Sequence, residues 1–141
     1  MAVITIVGSG MMGSAIGIPA SENGHEVRLV GTPLDREIIA HARKTGWHMN
    51  MRRQLPESYA YFQFEELSQA LSGADALVSG VSSFGVDWFL QTVLPVIPET
   101  LPVLAVTKGM IEEEGRLIPY PLYYKRQLGS LRRNLNAVGG P

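Results

Sequence analysis

Residues 4–17 read ITIVGSGMMGSAIG, an apolar, largely β-branched run that breaks into glycines at positions 8, 10 and 13. The Ile, Thr and Val run has the length of a buried strand, and residues 11–22 have the punctuation of a helix. Set between the two, the spacing G-x-G-x-x-G has separable physical roles. Gly8 permits a tight turn, Gly10 lets backbone approach a pyrophosphate, and Gly13 lets the helix pack close to the strand. The amides that open the helix then face the phosphates. Glycines at this spacing also serve as a plain strand-to-helix turn, so the rest of the chain must decide between the two.

Outward from this stretch, short runs suited to buried strands recur at 26–30, 59–62, 74–81, 102–107 and 136–139. Segments with helical spacing or helix punctuation lie between them, at 33–45, 65–71, 86–93 and roughly 117–128. Strand and helix alternate throughout, which predicts an α/β fold: a Rossmann-type, doubly wound parallel sheet with helices on both faces. Residues 1–141 read as one dinucleotide-binding domain, without repeat, linker or low-complexity tract. Pro19, inside the first helix, is expected to remove a hydrogen bond and kink it.

The chain has 141 residues, 45% of them apolar, which is enough for a sizeable core. Twelve basic residues against thirteen acidic ones leave a net charge of -1, so no global field favours nucleic acid or an anionic membrane. Cysteine is absent, which excludes disulfides and thiolate chemistry. The early apolar run at 2–7 is too short to span a bilayer, and no basic segment precedes it. A cytoplasmic protein is expected.

Cofactor choice is read from the end of the second strand. Sites selective for NAD place a carboxylate there for the ribose hydroxyls, but here the slot holds Gly31. Asp35 follows Thr32 by three residues with Pro33 between, a pattern that reads as a capping box ahead of the alternative, a ribose ligand. A 2'-phosphate would then meet Thr32, helix amides and Arg36, so NADP is favoured over NAD. Met11 and Met12 either lie against the cofactor or fill gaps in the core. His41, Arg43, Lys44, His48, Arg52 and Arg53 read as a solvated helix end and loop, with two histidines too far apart for a metal site. The acidic run 112–114 before Gly115 reads as an exposed turn.

Three later strands end in chemistry-bearing residues: Ser82 and Ser83, then Thr107, Lys108 and Gly109, then Gly139 and Gly140. All lie at carboxyl ends of parallel strands, the edge where ligands bind in open α/β sheets. An ammonium at Lys108 can be aimed at an oxygen that gains negative charge.

Together, VGSGMMGSAIG, ENGHEVRL, VSS, VTKGMIEEEGRL and AVGGP resemble, in order and spacing, the motifs of the NAD(P)-dependent glycerol-3-phosphate dehydrogenases. Those enzymes interconvert dihydroxyacetone phosphate and sn-glycerol 3-phosphate. The resemblance implies that Gly8, Gly10, Met11, Met12 and Gly13 hold the pyrophosphate and Thr32 the adenosine ribose. It implies further that Ser82 and Ser83 border the nicotinamide, that Lys108 touches both cofactor and substrate, and that Gly140 offers backbone to a small phosphorylated substrate. Ser82 stands where the family commonly has proline. The family's helical second domain, with a further lysine, is absent from these 141 residues, and the surface it would cover is expected to permit self-association. Two other readings stay open: a non-catalytic dinucleotide-binding or sensing module, and a domain like that of ketopantoate reductase or 6-phosphogluconate dehydrogenase.

Overall fold

In the computed structural model, residues 1–139 are described. The chain runs β1 (Val3–Val7), α1 (Met11–Glu22), β2 (Glu26–Val30), α2 (Arg36–Thr45), β3 (Trp47–His48), β4 (Arg53–Gln54), β5 (Tyr59–Phe62) and α3 (Leu67–Leu71). It continues through β6 (Ala76–Ser79), α4 (Val86–Thr92), β7 (Val103–Ala105), β8 (Met110–Glu113), β9 (Arg116–Pro119), α5 (Tyr120–Gln127) and β10 (Leu135–Ala137). Six strands form one sheet in the order β10-β7-β6-β1-β2-β5. Every neighbouring pair in it is parallel. The expected Rossmann-type sheet is therefore the one observed.

Its two faces follow from the two-residue period of a strand. Ile6 and Val7 enter different buried clusters, as do Leu29 and Val30, and Val78 and Leu77. One cluster joins Val7, Val30 and Leu77 to Phe89 of α4 and Tyr124 of α5; the other joins Ile6, Leu29 and Val78 to Ile39 of α2, with Ile16 of α1 packed against it. A sheet buried on both faces needs apolar residues at consecutive positions, which is why its strands read as unbroken apolar runs. From β1 the chain winds outward through β2 and β5, then returns to β6 on the other side of β1. Strand order reverses between β1 and β6, and that crevice is where such sheets take ligands.

Helix α1 continues past Pro19, which is exposed near its last turn, to Glu22. Three local expectations change. The second helix starts at Arg36, because residues 32–35 form a separate turn closed by Asp35 N–H to the Thr32 carbonyl at 2.9 Å. Residues 117–119, expected in the last helix, belong to β9 instead. The strand pairs antiparallel with β8 across Glu114 and Gly115, whose φ values of 52° and 75° both suit a tight hairpin. Glu112 and Glu113 thus lie on a strand, and only Glu114 lies in the turn. A second small hairpin, β3–β4, sits after α2 and was not anticipated.

Candidate functional site

At the crevice the strand ends meet through glycine backbones. A Cβ on Gly8 would lie 2.7 Å from the Gly80 carbonyl carbon, a Cβ on Gly80 would lie 2.7 Å from Gly13 Cα, and one on Gly13 would strike the Gly8 carbonyl oxygen. Gly8 also holds φ at 108°, a conformation side chains rarely adopt. Gly10 differs: nothing lies within 4 Å of the point its Cβ would take. Three glycines are therefore required by packing, while Gly10 faces open space. That space is a cleft of about 480 Å³, bordered by Gly8, Gly10, Thr32, Asp35 and, from the β6 side, Gly80 and Ser82. Gly80 escaped the sequence reading although it directly follows a strand, because no motif spacing marks it.

The residue between the first two glycines holds the turn. Ser9 is fully buried and is gripped from three elements. Its N–H donates to Asp35 Oδ2 at 3.2 Å, while its carbonyl accepts Ser14 Oγ–H of α1 at 3.2 Å and lies 2.8 Å from His48 Nε2 of β3. Tyr59 of β5 steadies the same helix by donating its hydroxyl to the Ser14 carbonyl at 2.8 Å. Burial, and then the neighbouring Tyr61, push that phenol well above its ordinary range, so it remains a donor. His48 thus leaves the solvated basic cluster in which the sequence placed it: it is fully buried, whereas His41, Arg43, Lys44, Arg52 and Arg53 are exposed.

The β2 end clarifies cofactor choice. A Cβ on Gly31 would lie 2.6 Å from Ile39 Cγ1 and 3.2 Å from Asp35 Cβ, so the acidic slot is sterically closed. Asp35 nevertheless borders the cleft. Its Oδ2 accepts Thr32 N–H at 2.8 Å and Thr32 Oγ1–H at 2.9 Å, in addition to Ser9; the first is one half of the expected capping box, but the reciprocal bond is missing, because Asp35 N–H goes to the Thr32 backbone carbonyl and α2 starts only after Asp35. Thr32 Oγ1 in turn accepts Leu34 N–H at 3.3 Å. Arg36 pairs with Glu65, and this pairing holds the Glu65 carboxyl below its usual range.

Met11 and Met12 open α1 and are each 60% exposed, which removes the core-filling alternative. Gly10 precedes them as the helix cap, and no acidic residue occupies the first turn, so the helix dipole there is uncompensated. Ser82 borders the cleft, while Ser83 is exposed at the start of a short helical turn. Thr107 Oγ1 donates to the Val81 carbonyl at 2.6 Å and ties the end of β7 to that of β6. Lys108 follows, exposed, on the same sheet edge but outside the residues bordering the cleft. Gly140 lies outside the described residues. Among those residues no three His, Asp or Glu side chains converge as metal ligands, and no helix is long and apolar enough to cross a membrane.

Residues 3–138 match the family model for the NAD-dependent glycerol-3-phosphate dehydrogenase N-terminus. The chain belongs to this family. The NADP(+)-dependent glycerol-3-phosphate dehydrogenase of Archaeoglobus fulgidus is 32% identical over 139 residues, which are 99% of this chain and 41% of that protein. The crystal structure of glycerol-3-phosphate dehydrogenase from Coxiella burnetii superposes with a TM-score of 0.77 at 21% identity, over 99% of this chain and 41% of that one. A ketopantoate reductase from Ralstonia eutropha shares the fold at a TM-score of 0.58 and 19% identity, over 95% of this chain and 39% of that one. The chain thus spans about two fifths of the length of these relatives, and its likeness to the reductase is one of fold.

Proposed function

We propose that this chain forms the dinucleotide-binding part of an oxidoreductase that interconverts dihydroxyacetone phosphate and sn-glycerol 3-phosphate with NAD(P)H. One observation carries the reading: of the glycines at the reversal of strand order, only Gly10 of the motif faces open cleft, while its neighbours are packed backbone to backbone. A pyrophosphate fits there because no side chain intervenes and the amides opening α1 stand beside it. Gly8, Gly10 and Gly13, with the backbone of Met11 and Met12, would hold the diphosphate, and Thr32 would meet the adenosine ribose. When bound, the nicotinamide supplies or accepts hydride.

On the other side of the cleft, Ser82 and Ser83 would border the nicotinamide, and Lys108 would bring positive charge to the substrate oxygen. Family membership supports these roles, together with the T-K-G segment at the end of β7. NADP is the preferred cofactor in this reading: position 31 is closed to a carboxylate, and the Asp35 oxygen nearest the turn is engaged by three donors. Met110, Leu117 and Leu131 are more than half exposed beyond β7 and provide the apolar surface for self-association.

The test is calorimetric titration of the purified chain with NADPH and NADH at low and high salt. Saturable binding of both, tighter for NADPH, is expected, with no sustained oxidation of NADPH when dihydroxyacetone phosphate is added to the chain alone. Absence of binding to either dinucleotide overturns the proposal.

A further inference from the structure

The reading of the cleft as a dinucleotide site leaves open what sets the direction of its backbone donors, and the inference that follows rests on that reading. We infer that His48 is a positioning residue for the glycine turn: it fixes the Ser9–Gly10 peptide so that the Gly10 N–H is presented to the phosphates.

The ring's protonation follows from its partners. Met51 N–H lies 3.1 Å from His48 Nδ1, and an N–H can only donate, so Nδ1 is the bare, accepting nitrogen. The proton of the neutral imidazole is then on Nε2, which lies 2.8 Å from the Ser9 carbonyl, a group that can only accept. Each nitrogen has one partner and one role. The ring is fully buried and held by a hairpin whose own anchors are Leu55, 2% exposed, and a bond from Leu55 N–H to the Gly46 carbonyl at 2.9 Å.

The consequence reaches the cleft through one planar unit. Among the described residues no peptide bond is cis, and in a trans peptide the carbonyl and the following N–H point in opposite directions. With the Ser9 carbonyl drawn inward onto His48, the Gly10 N–H is turned outward, on the residue that faces open cleft. Asp35 completes the grip by accepting Ser9 N–H, which prevents the turn from pivoting about that carbonyl. A glycine turn is otherwise free to rotate its peptides, since no Cβ resists. A pre-set donor avoids the ordering cost at binding.

Two amide substitutions separate the two nitrogens. Gln places an N–H near the position of Nε2, and Asn places an acceptor near Nδ1. His48→Gln is expected to keep the NADPH dissociation constant within about threefold of wild type, whereas His48→Asn raises it about tenfold or more, the scale of one lost buried hydrogen bond. Binding is read by fluorescence titration, and thermal unfolding of each apo variant is recorded beside it. Equal affinities for wild type and His48→Asn overturn the inference, as does a loss in both variants that merely follows their unfolding midpoints. Should either variant fail to fold, proton–nitrogen correlation of the wild-type ring decides: it must show the Nε2–H neutral tautomer, and an Nδ1–H or doubly protonated ring overturns the inference. A wild-type chain that binds no dinucleotide overturns the reading of the cleft itself.

Discussion

The two sides of the cleft are built differently. On the β1–α1–β2 side, glycine backbones touch, Ser9 is buried with partners on three elements, and the Asp35 carboxylate ties the glycine turn to the turn before α2. On the β6 side the bordering residues Ser82 and Phe84 are exposed, Phe84 to 98%, and Ser83 and, after β7, Lys108 are exposed as well. The first side is finished within this chain. The second presents groups without burying them. A packed cradle can bind without help, whereas a proton donor or charge aimed at a reacting oxygen must be held in a dry, fixed geometry to accelerate chemistry. In the proposed function, the packed side carries dinucleotide binding, and turnover depends on how the exposed groups of the second side are held.

Substitutions on the packed side test the contrast most severely. Gly13→Ala places a methyl against the Gly8 carbonyl oxygen, and relief requires separating α1 from β1. A loss of about 3 kcal/mol in denaturant unfolding is expected, the upper end of ordinary overpacking. A change below about 1 kcal/mol would mean that the turn is looser than its contacts imply.

Next in size is Lys108. In an enzyme that reduces dihydroxyacetone phosphate through this chain, Lys108→Ala is expected to lower turnover at least tenfold, about 1.4 kcal/mol of barrier, and to leave unfolding unchanged. Lys108→Arg restores charge but not geometry, and recovers only part of the rate. Turnover within about threefold of wild type in the alanine variant would remove Lys108 from the chemistry.

Asp35→Asn sharpens the cofactor assignment. The amide oxygen can still accept Thr32 N–H, but the negative charge beside the ribose position is gone. The ratio of NADPH to NADH affinity is expected to rise about threefold, less at high salt, because the gain is electrostatic. An unchanged ratio would show that Asp35 does not sense the 2'-phosphate. Smallest of all is the effect of Phe84→Ala on folding. A ring this exposed contributes little burial, and stability is expected to stay within about 0.5 kcal/mol of wild type. A larger loss would mean that the open side is packed after all.

Much of this was legible in the sequence because it is local. The sheet strands follow from their apolar runs, and the tight turn at Gly8 and the close packing of Gly13 follow from the glycine spacing. Long-range partners were not legible. Gly80 belongs to the glycine contact through a crossover of some seventy residues, and no periodicity links it to Gly8. His48 read as surface because its neighbours are basic; only the β3–β4 hairpin, two residues per strand, turns it inward. Residues 117–119 read as helix because the run of alternating residues in β9 is too short to outweigh the helical segment beside it. Asp35 was read correctly as a partner of Thr32, but its bond to Ser9 joins elements that only the fold brings together.

The central claim is that the open space at Gly10 is where a dinucleotide's phosphates lie. Gly10→Val puts a side chain into that space, and its Cβ meets no protein atom within 4 Å. Titrating the wild-type chain and this variant with NADPH, with thermal unfolding recorded for both, tests it directly. The account predicts saturable binding by the wild type, none measurable by the variant, and unfolding midpoints that agree within a few degrees. Equal affinities in two folded proteins would contradict it and return the glycine motif to the role of a turn.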